Sequence, residues 1–350
     1  MSDPSPTLLL DRYQPALRLV AEVTRWSARF ATELAAESSS AGGSASKADA
    51  TPVTAADLAL QAVLVAGLRE AYGDVPVVGE ESTAIFAAPG GDRLRSRVHA
   101  LVHQVRPSMS ARAIDDAIDA GAADGTSDRH WVIDPIDGTR GYLRGQQYCV
   151  CLALVEAGRP VFGAAGCPRL GRHGLVLAAS AGGGAWCWDG RSPSIDEPPS
   201  SVAVRSARES GAPIVACESP EATDRARLRL RRLGEALGVP LIARPMESQC
   251  KFVLVALGES DLAVRFASSD PAKNRDMVWD YAGAVVFAEE AGAAMTDCDG
   301  AALRFGRGRS IDGNRGILCA PRWLHADAVQ ACRTVDVAIG ALPIGARSRP

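Results

Sequence analysis

Directly after the apolar run at 131–133 the chain reads Asp134-Pro135-Ile136-Asp137-Gly138-Thr139. Proline holds the residue before it extended, and Asp-Gly favours a tight turn, so two carboxylates leave one strand end around one bend. Two hard anions that close repel unless a cation lies between them, and an all-oxygen donor set suits Mg2+. On spacing alone, a plain Asp-Gly turn with Asp134 as a cap is an equally good account. Other acids sit at comparable places. Glu80 and Glu81 end the run Val77-Val78-Gly79, where a solvated turn explains them. Asp57 lies three residues after Thr54 at the start of an apolar helix, the spacing of a capping box. Asp280 follows Trp279 and precedes an amphipathic helix, as an N-cap does. Taken singly, none of these acids demands chemistry.

Other reactive-looking patterns fall away. His99 and His103 have the i, i+4 spacing of a zinc pair but lack the intervening glutamate of H-E-x-x-H, and a polar helix face accounts for both. Ser248-x-x-Lys251 matches the S-x-x-K of penicillin-recognising enzymes, yet the S-D-N and K-T-G of that chemistry are absent. Cys149 and Cys151 alternate along one strand and read as core. No G-x-S-x-G, P-loop or well-placed G-x-G-x-x-G occurs.

The elements that must position the acids have two textures. Helical periodicity covers 13–37, a Ser/Gly-rich loop covers 38–47, and a second helix starts at Thr54. A short apolar run at 75–78 leads to the glutamates. Residues 84–128 read as a polar helical excursion with Asp115, Asp116 and Asp119 on a solvated face. Strands follow at 131–133, 148–155, 161–165, 175–179 and 185–188, an antiparallel meander that ends in a linker at 193–200. Beyond it strands at 214–217, 240–243, 262–266 and 316–319 alternate with helices at 224–237, 248–257, 280–291 and 321–335. That alternation predicts an α/β second half with helices covering a sheet.

With 350 residues, 47% hydrophobic and 23% charged, the chain has the composition of a globular protein of about two domains. A net charge of −3 gives no broad electrostatic footprint for a nucleic-acid polymer or a membrane surface. The longest uncharged stretch, 15 residues at 174–188, is too short to span a bilayer and is broken by glycines. The N-terminal residues lack the pattern of a signal peptide. Nine scattered cysteines without a C-x-x-C pair predict a reduced, cytoplasmic protein. Only three lysines stand against 35 arginines, which makes Lys251 slightly more informative than a lysine usually is.

Together the motifs resemble one group of proteins in order and spacing. V-V-G-E-E-S at 77–82, W-V-I-D-P-I-D-G-T at 131–139 and W-D-Y-A-G at 279–283 are similar to the lithium-sensitive, magnesium-dependent phosphomonoesterase superfamily of inositol monophosphatase and fructose-1,6-bisphosphatase. Within it the chain most resembles the 3'(2'),5'-bisphosphate nucleotidases of yeast and plant type. P-V-T-A-A-D at 52–57, the stretch 140–155, G-C-P at 166–168, S-Q-C-K-F at 248–252 and F-G-R-G at 305–308 carry that closer likeness, which runs from about 17 to 335.

The resemblance implies a fructose-1,6-bisphosphatase-like α-β-α-β-α layered sandwich. An α+β metal-binding part at 1–172 would pack on an α/β substrate-binding part at 173–337, followed by a tail at 338–350. It implies that Glu80, Asp134, Asp137, Asp280 and the carbonyl of Ile136 bind two or three Mg2+ ions. Asp57 and Thr139, with Glu80, would orient the attacking water, and transfer would be in line without a covalent intermediate. Ser248, Lys251 and Arg265, with Thr139 and Asp280, match positions that hold the substrate, and a helix starting near Ser248 would offer N–H groups to an anion. The implied substrate is adenosine 3',5'-bisphosphate, with 3'-phosphoadenylyl sulfate second, cleaved by a lithium-sensitive monomer that serves sulfate assimilation. An inositol phosphate substrate, or a catalytically silent nucleotide sensor, are the competing expectations. Departures concern specificity: the segment 217–223 lacks the family's histidine, leaving Ser219 or Thr223 to replace it, and its Glu218 and Glu221 would repel a bisphosphate they faced. W-D-Y replaces W-D-H, and the connection 267–278 is longer than usual.

Overall fold

The computed structural model describes residues 11–37, 44–46, 52–189, 195, 197–209, 211–267, 276–311 and 313–340. Helix α1 (Gln14–Glu37) lies beside helix α2 (Ala55–Tyr72). Between them a short antiparallel ladder joins β1 (Ser44–Ser46) to β2 (Pro52–Thr54), with Ser44 opposite Thr54. Part of the expected 38–47 loop is therefore strand, and its other residues lie outside the described ones. Helix α2 is apolar on every side, with Leu58, Leu60, Leu64 and Leu68 all but inaccessible. A helix of that composition must be enclosed, and α1, α3 (Gly91–Val105), α4 (Ala111–Asp119) and a sheet enclose it.

That sheet has seven strands in sequence order: β3 (Val77–Gly79), β4 (Arg129–Asp137), β5 (Cys149–Glu156), β6 (Arg159–Cys167), β7 (Leu175–Ser180), β8 (Ala185–Asp189) and β9 (Ser200–Val202). Only β3 and β4 are parallel; the rest form the expected meander. Strands β7 to β9 lie past residue 172, so the first sheet continues beyond the expected part boundary, and Ser200 of the expected linker opens its edge strand. Helix α5 (Thr139–Leu143) follows β4 immediately. On α4, Asp115 is not merely solvated, because the Arg95 guanidinium and His99 Nε2, the latter at 2.9 Å, both hold it.

The second sheet has five strands in the order β11-β10-β12-β14-β13, formed by β10 (Ile214–Glu218), β11 (Leu241–Pro245), β12 (Leu262–Arg265), β13 (Ala293–Thr296) and β14 (Ile317–Pro321). Helices α7 (Cys250–Ala256) and α8 (Ala282–Glu290) lie between the two sheets. Helices α6 (Asp224–Leu237) and α9 (Arg322–Gly340) cover the outer face. The layers are α-β-α-β-α, as the resemblance implies. Residues 282–288 of α8 are all buried, since both faces of this helix meet a sheet. Its backbone touches β6 directly: a Cβ on Gly163 would lie 2.3 Å from the Gly283 carbonyl oxygen. Of the expected tail at 338–350, residues 338–340 continue helix α9 and 341–350 lie outside the described residues.

Candidate active site

Five of the implied residues gather where β3 and β4 end. Parallel pairing sets Gly79 beside Ile133, so Glu80 emerges next to Asp134. Asp134 and Asp137 are three apart on one strand and would point to opposite faces of a regular ladder. The ladder to β5 is irregular there, since Asp134 pairs with Cys151 and Asp137 with Cys149. Three steps on β4 thus match two on β5, a bulge of one residue that turns both carboxylates to the same side. The expected strand 131–133 accordingly runs on through the motif to Asp137. Gly138 then takes a φ of 93°, and a Cβ there would stand 3.0 Å from the Ser248 Cβ. Glycine meets both demands.

Asp57 does two things. One of its oxygens completes the capping box, accepting from Thr54 N at 2.8 Å, while Thr54 Oγ1 accepts from the first-turn amides. The other accepts from Thr139 Oγ1 at 3.3 Å, and the same hydroxyl lies 3.2 Å from the Ile136 carbonyl oxygen. Asp57 is 1% exposed and Thr139 8%. The cap and the contact with Thr139 therefore coexist, one on each oxygen of Asp57.

Asp280 comes from the second half. It does not cap α8: it ends a 3-10 turn, Val278–Asp280, and the position before the helix is Tyr281, which makes no side-chain cap. Carboxylate oxygens of Asp134, Asp137 and Asp280 lie within 4.8 Å of one another. Burial first, then Glu80, Asp137 and Asp280, push the Asp134 carboxyl well above the usual range. Burial and the neighbouring Cys149 sulfur raise Asp137, against the pull of the Gln249 N–H. Burial and Glu80 push Asp280 up to about 7. Acids this close and dry favour keeping protons unless a cation compensates them. The all-oxygen donor set fits a hard divalent cation.

Three tethers that the motifs do not advertise hold the acids. Gln61 on α2, fully buried, accepts from Glu81 N at 2.9 Å and donates to the carbonyls of Glu81 and Ile118 at 2.7 and 2.8 Å. The Glu80-Glu81 turn is therefore clamped, with Glu81 only 4% exposed, not solvated. Gln249 donates its N–H to Asp137 Oδ2 and its Nε2 to the Trp279 carbonyl at 2.9 Å, joining Asp137 to the segment that carries Asp280. Arg309 donates to the carbonyls of Gly79, Gly121 and Ala123 and stacks over Trp279 at 4.9 Å. Since Val278 N bonds to its carbonyl at 3.0 Å, Arg309 fastens the Asp280 turn to the end of β3.

Beside the acids lies a cleft of about 260 Å³ lined by Glu218, Ser219, Lys251, Val264, Arg265 and Phe266, among others. Lys251 and Arg265 share it. Ser248 instead faces the sulfur side, its Oγ accepting from Cys250 N at 3.2 Å and from Cys149 Sγ at 3.4 Å. Helix α7 begins at Cys250, and the neighbouring Gln249 N–H serves Asp137; it is not left open to an anion. Thr223 is spent as the N-cap of α6, which leaves Ser219 in the cleft. Glu221 points to Arg140 and Arg144, at 2.6 and 2.7 Å, and these bridges hold its carboxyl below the usual range. Glu218 does line the cleft, 4.0 Å from Arg227. Tyr281, the residue that makes this segment W-D-Y, donates to Asp276 at 2.9 Å, and Arg265 pairs with the same carboxylate at 2.6 Å. Most of the long 267–278 connection lies outside the described residues.

A layered sandwich that collects buried acids at one sheet end, beside a basic cleft, is the architecture of a metal-dependent phosphatase. The chain belongs to the inositol monophosphatase family, which it matches over residues 14–336. It is 30% identical over 316 residues to a 3'(2'),5'-bisphosphate nucleotidase of Schizosaccharomyces pombe, covering 85% of this chain and 88% of the relative. A 3',5'-bisphosphate nucleotidase of Arabidopsis thaliana is 30% identical over 329 residues, covering 82% and 87%. Among solved structures, an IMPase of Thermotoga maritima superposes with a TM-score of 0.63 at 20% identity, over 94% of this chain and all (100%) of the other. Among the described residues no helix is long and apolar enough to cross a membrane.

Proposed function

We propose that this phosphatase removes the 3'-phosphate from adenosine 3',5'-bisphosphate, giving AMP and phosphate, with 3'-phosphoadenylyl sulfate as a second substrate. The observation that carries the reading is the continuity of acid cluster and basic cleft through one short piece of chain. Gln249 N–H holds Asp137, and two residues further on Lys251 lines the cleft with Arg265. A substrate with two separated phosphates can meet both. The curated nucleotidase relatives support the nucleotide over other phosphate esters.

In this reading Glu80, Asp134, Asp137, Asp280 and the Ile136 carbonyl hold two or three Mg2+ ions. Bound Mg2+ supplies charge neutralisation on the phosphoryl oxygens and a lowered pKa for water. Asp57 accepts the Thr139 hydroxyl proton, which leaves the Thr139 lone pairs to accept a hydrogen bond from water and aim it at phosphorus. Glu80 assists as a base at the same end of the sheet. The water oxygen bonds to phosphorus as the bond to the 3'-oxygen breaks; its proton passes to Glu80 and on to solvent, and the departing oxygen takes a proton from solvent. Lys251, a mobile point charge, and Arg265, anchored on Asp276, hold the second phosphate and the ribose. Ser248 supports the Asp137 side and Ser219 takes the place of the absent histidine. The first sheet with α1 and α2 then forms the metal-binding part and the second sheet the substrate-binding part of a cytoplasmic monomer.

Phosphate release with Mg2+, with and without Li+, tests this on adenosine 3',5'-bisphosphate, inositol 1-phosphate and inositol 1,4-bisphosphate. The expected result is strong preference for the nucleotide and inhibition by Li+. Preference for an inositol ester would keep the acid chemistry and overturn the substrate. Binding of nucleotide and Mg2+ without phosphate release would make the chain a sensor.

A further inference from the structure

Four thiols lie behind Asp137, and the reaction proposed above uses none of them. Cys149 and Cys151 on β5, Cys167 on β6 and Cys250 on α7 are each at most 2% exposed. The sulfurs of Cys149, Cys167 and Cys250 all lie within 4.8 Å of one another, with Cys250 and Cys167 3.7 Å apart. A cation held tetrahedrally by thiolates at about 2.3 Å sets neighbouring sulfurs about 3.8 Å apart. The three side chains come from three elements and both halves of the fold, yet they converge at that spacing.

We propose that Cys149, Cys167 and Cys250 form a second metal site, for a thiophilic d10 cation such as Zn2+ or Cd2+, whose filling slows the carboxylate centre. Soft sulfur selects such cations over Mg2+, so the two neighbouring sites differ in what they take. Each thiol gives its proton to solvent as it becomes a ligand, three protons for three Cys. Three thiolates leave one tetrahedral position open. Entry is from the acid side, where Cys149 Sγ lies 3.7 Å from Asp137 Oδ2 and 3.4 Å from Ser248 Oγ. Filling the site turns Cys149, whose Sγ lies 3.7 Å from Asp137 Oδ2, into a metal-bound thiolate beside that carboxylate. It also pins Cys250, the residue after Gln249, whose N–H donates to that carboxylate. Two neighbours of Asp137 on this side, the Cys149 sulfur and the Gln249 N–H, are thus altered by one ion.

Cd2+ titrated into the reduced, metal-free protein tests the binding. A thiolate-to-Cd2+ absorption band saturating at one equivalent is expected, weakened at least tenfold in Cys167→Ala and in Cys250→Ala and unchanged in Cys319→Ala. No band, or full affinity in both of the first two variants, overturns the site. Should neither variant fold, the 113Cd NMR shift of the unaltered protein decides: a three-sulfur shift supports the site and an oxygen-only shift overturns it. The effect on turnover rests on the proposed reaction. Cd2+ should inhibit phosphate release at saturating Mg2+, and Cys167→Ala should relieve that inhibition. Inhibition that persists in Cys167→Ala overturns the coupling while leaving the binding result to stand on its own.

Discussion

The end of the first sheet and the cleft of the second half are built differently. At the sheet end, Asp57, Glu80, Asp134 and Asp137 are set by a helix cap, a strand end and a bulge, with Gln61, Gln249 and Arg309 tying the backbone from afar. In the cleft, Lys251 makes no ion pair among the described residues, and Arg265 pairs with Asp276. The acids are held from several elements, and Lys251 is not. That division suits a site whose bond-breaking geometry must be fixed while its grip on a substrate can vary.

The contrast can be broken most severely at Asp137. Asp137→Asn should lower kcat by at least 10²–10³-fold, on the order of what loss of a charge-stabilising group costs, and should abolish Mg2+-dependent nucleotide binding while circular dichroism stays unchanged. Full activity in that variant would remove Asp137 from metal binding. Lys251→Ala should act on the other region alone, raising KM for adenosine 3',5'-bisphosphate about tenfold, the worth of one charged hydrogen bond, with little change for inositol 1-phosphate. Equal effects on both substrates would mean that Lys251 does not read the nucleotide.

These two residues also mark what the chain discloses before it folds. Asp137 sits in a contiguous hexapeptide whose proline and glycine announce the bend, and Thr54 and Asp57 announce a helix start. Local spacing carries such information. Gln61, Gln249 and Arg309 are not legible, because what they hold is remote: the guanidinium of Arg309 reaches a carbonyl 230 positions earlier in the chain. The thiol cluster is hidden for the same reason, since Cys149 and Cys151 alone look like strand core and only the fold brings Cys167 and Cys250 to them. Short strands such as β9 and β13 escape because three or four residues carry too little pattern.

Acidity sharpens the comparison further. Burial and mutual repulsion raise the folded-state pKa of Asp134, Asp137 and Asp280 above the unfolded value. The folded protein therefore binds protons that the unfolded chain has released. Metal-free protein should be more stable at pH 5 than at pH 7.5, losing stability as pH rises through the window that ends for Asp280 near 7. Added Mg2+ should restore several degrees of Tm at the higher pH and few at the lower. Thermal melts at the two pH values check this; a metal-free Tm that rises with pH would contradict it. The smallest effect belongs to Glu221. Its bridges to Arg140 and Arg144 are exposed, and exposed pairs contribute about 0–1 kcal/mol, so Glu221→Gln should leave Tm within a degree or two and KM within about twofold. A large fall in KM would mean that this carboxylate opposes the substrate after all.

The contact between Gly163 and Gly283 bears on how this protein could be engineered. Exchanging glycines for alanine is a common route to thermostability, and a strand glycine in a well-packed sheet is an inviting target. At Gly163 the added methyl would have to displace α8, and Asp280 lies at the head of that helix. A library screened only for heat resistance would discard such variants or keep them without catalysis. Selections on this scaffold should therefore treat the two glycines as one immutable unit, mutating around the pair and leaving both members in place.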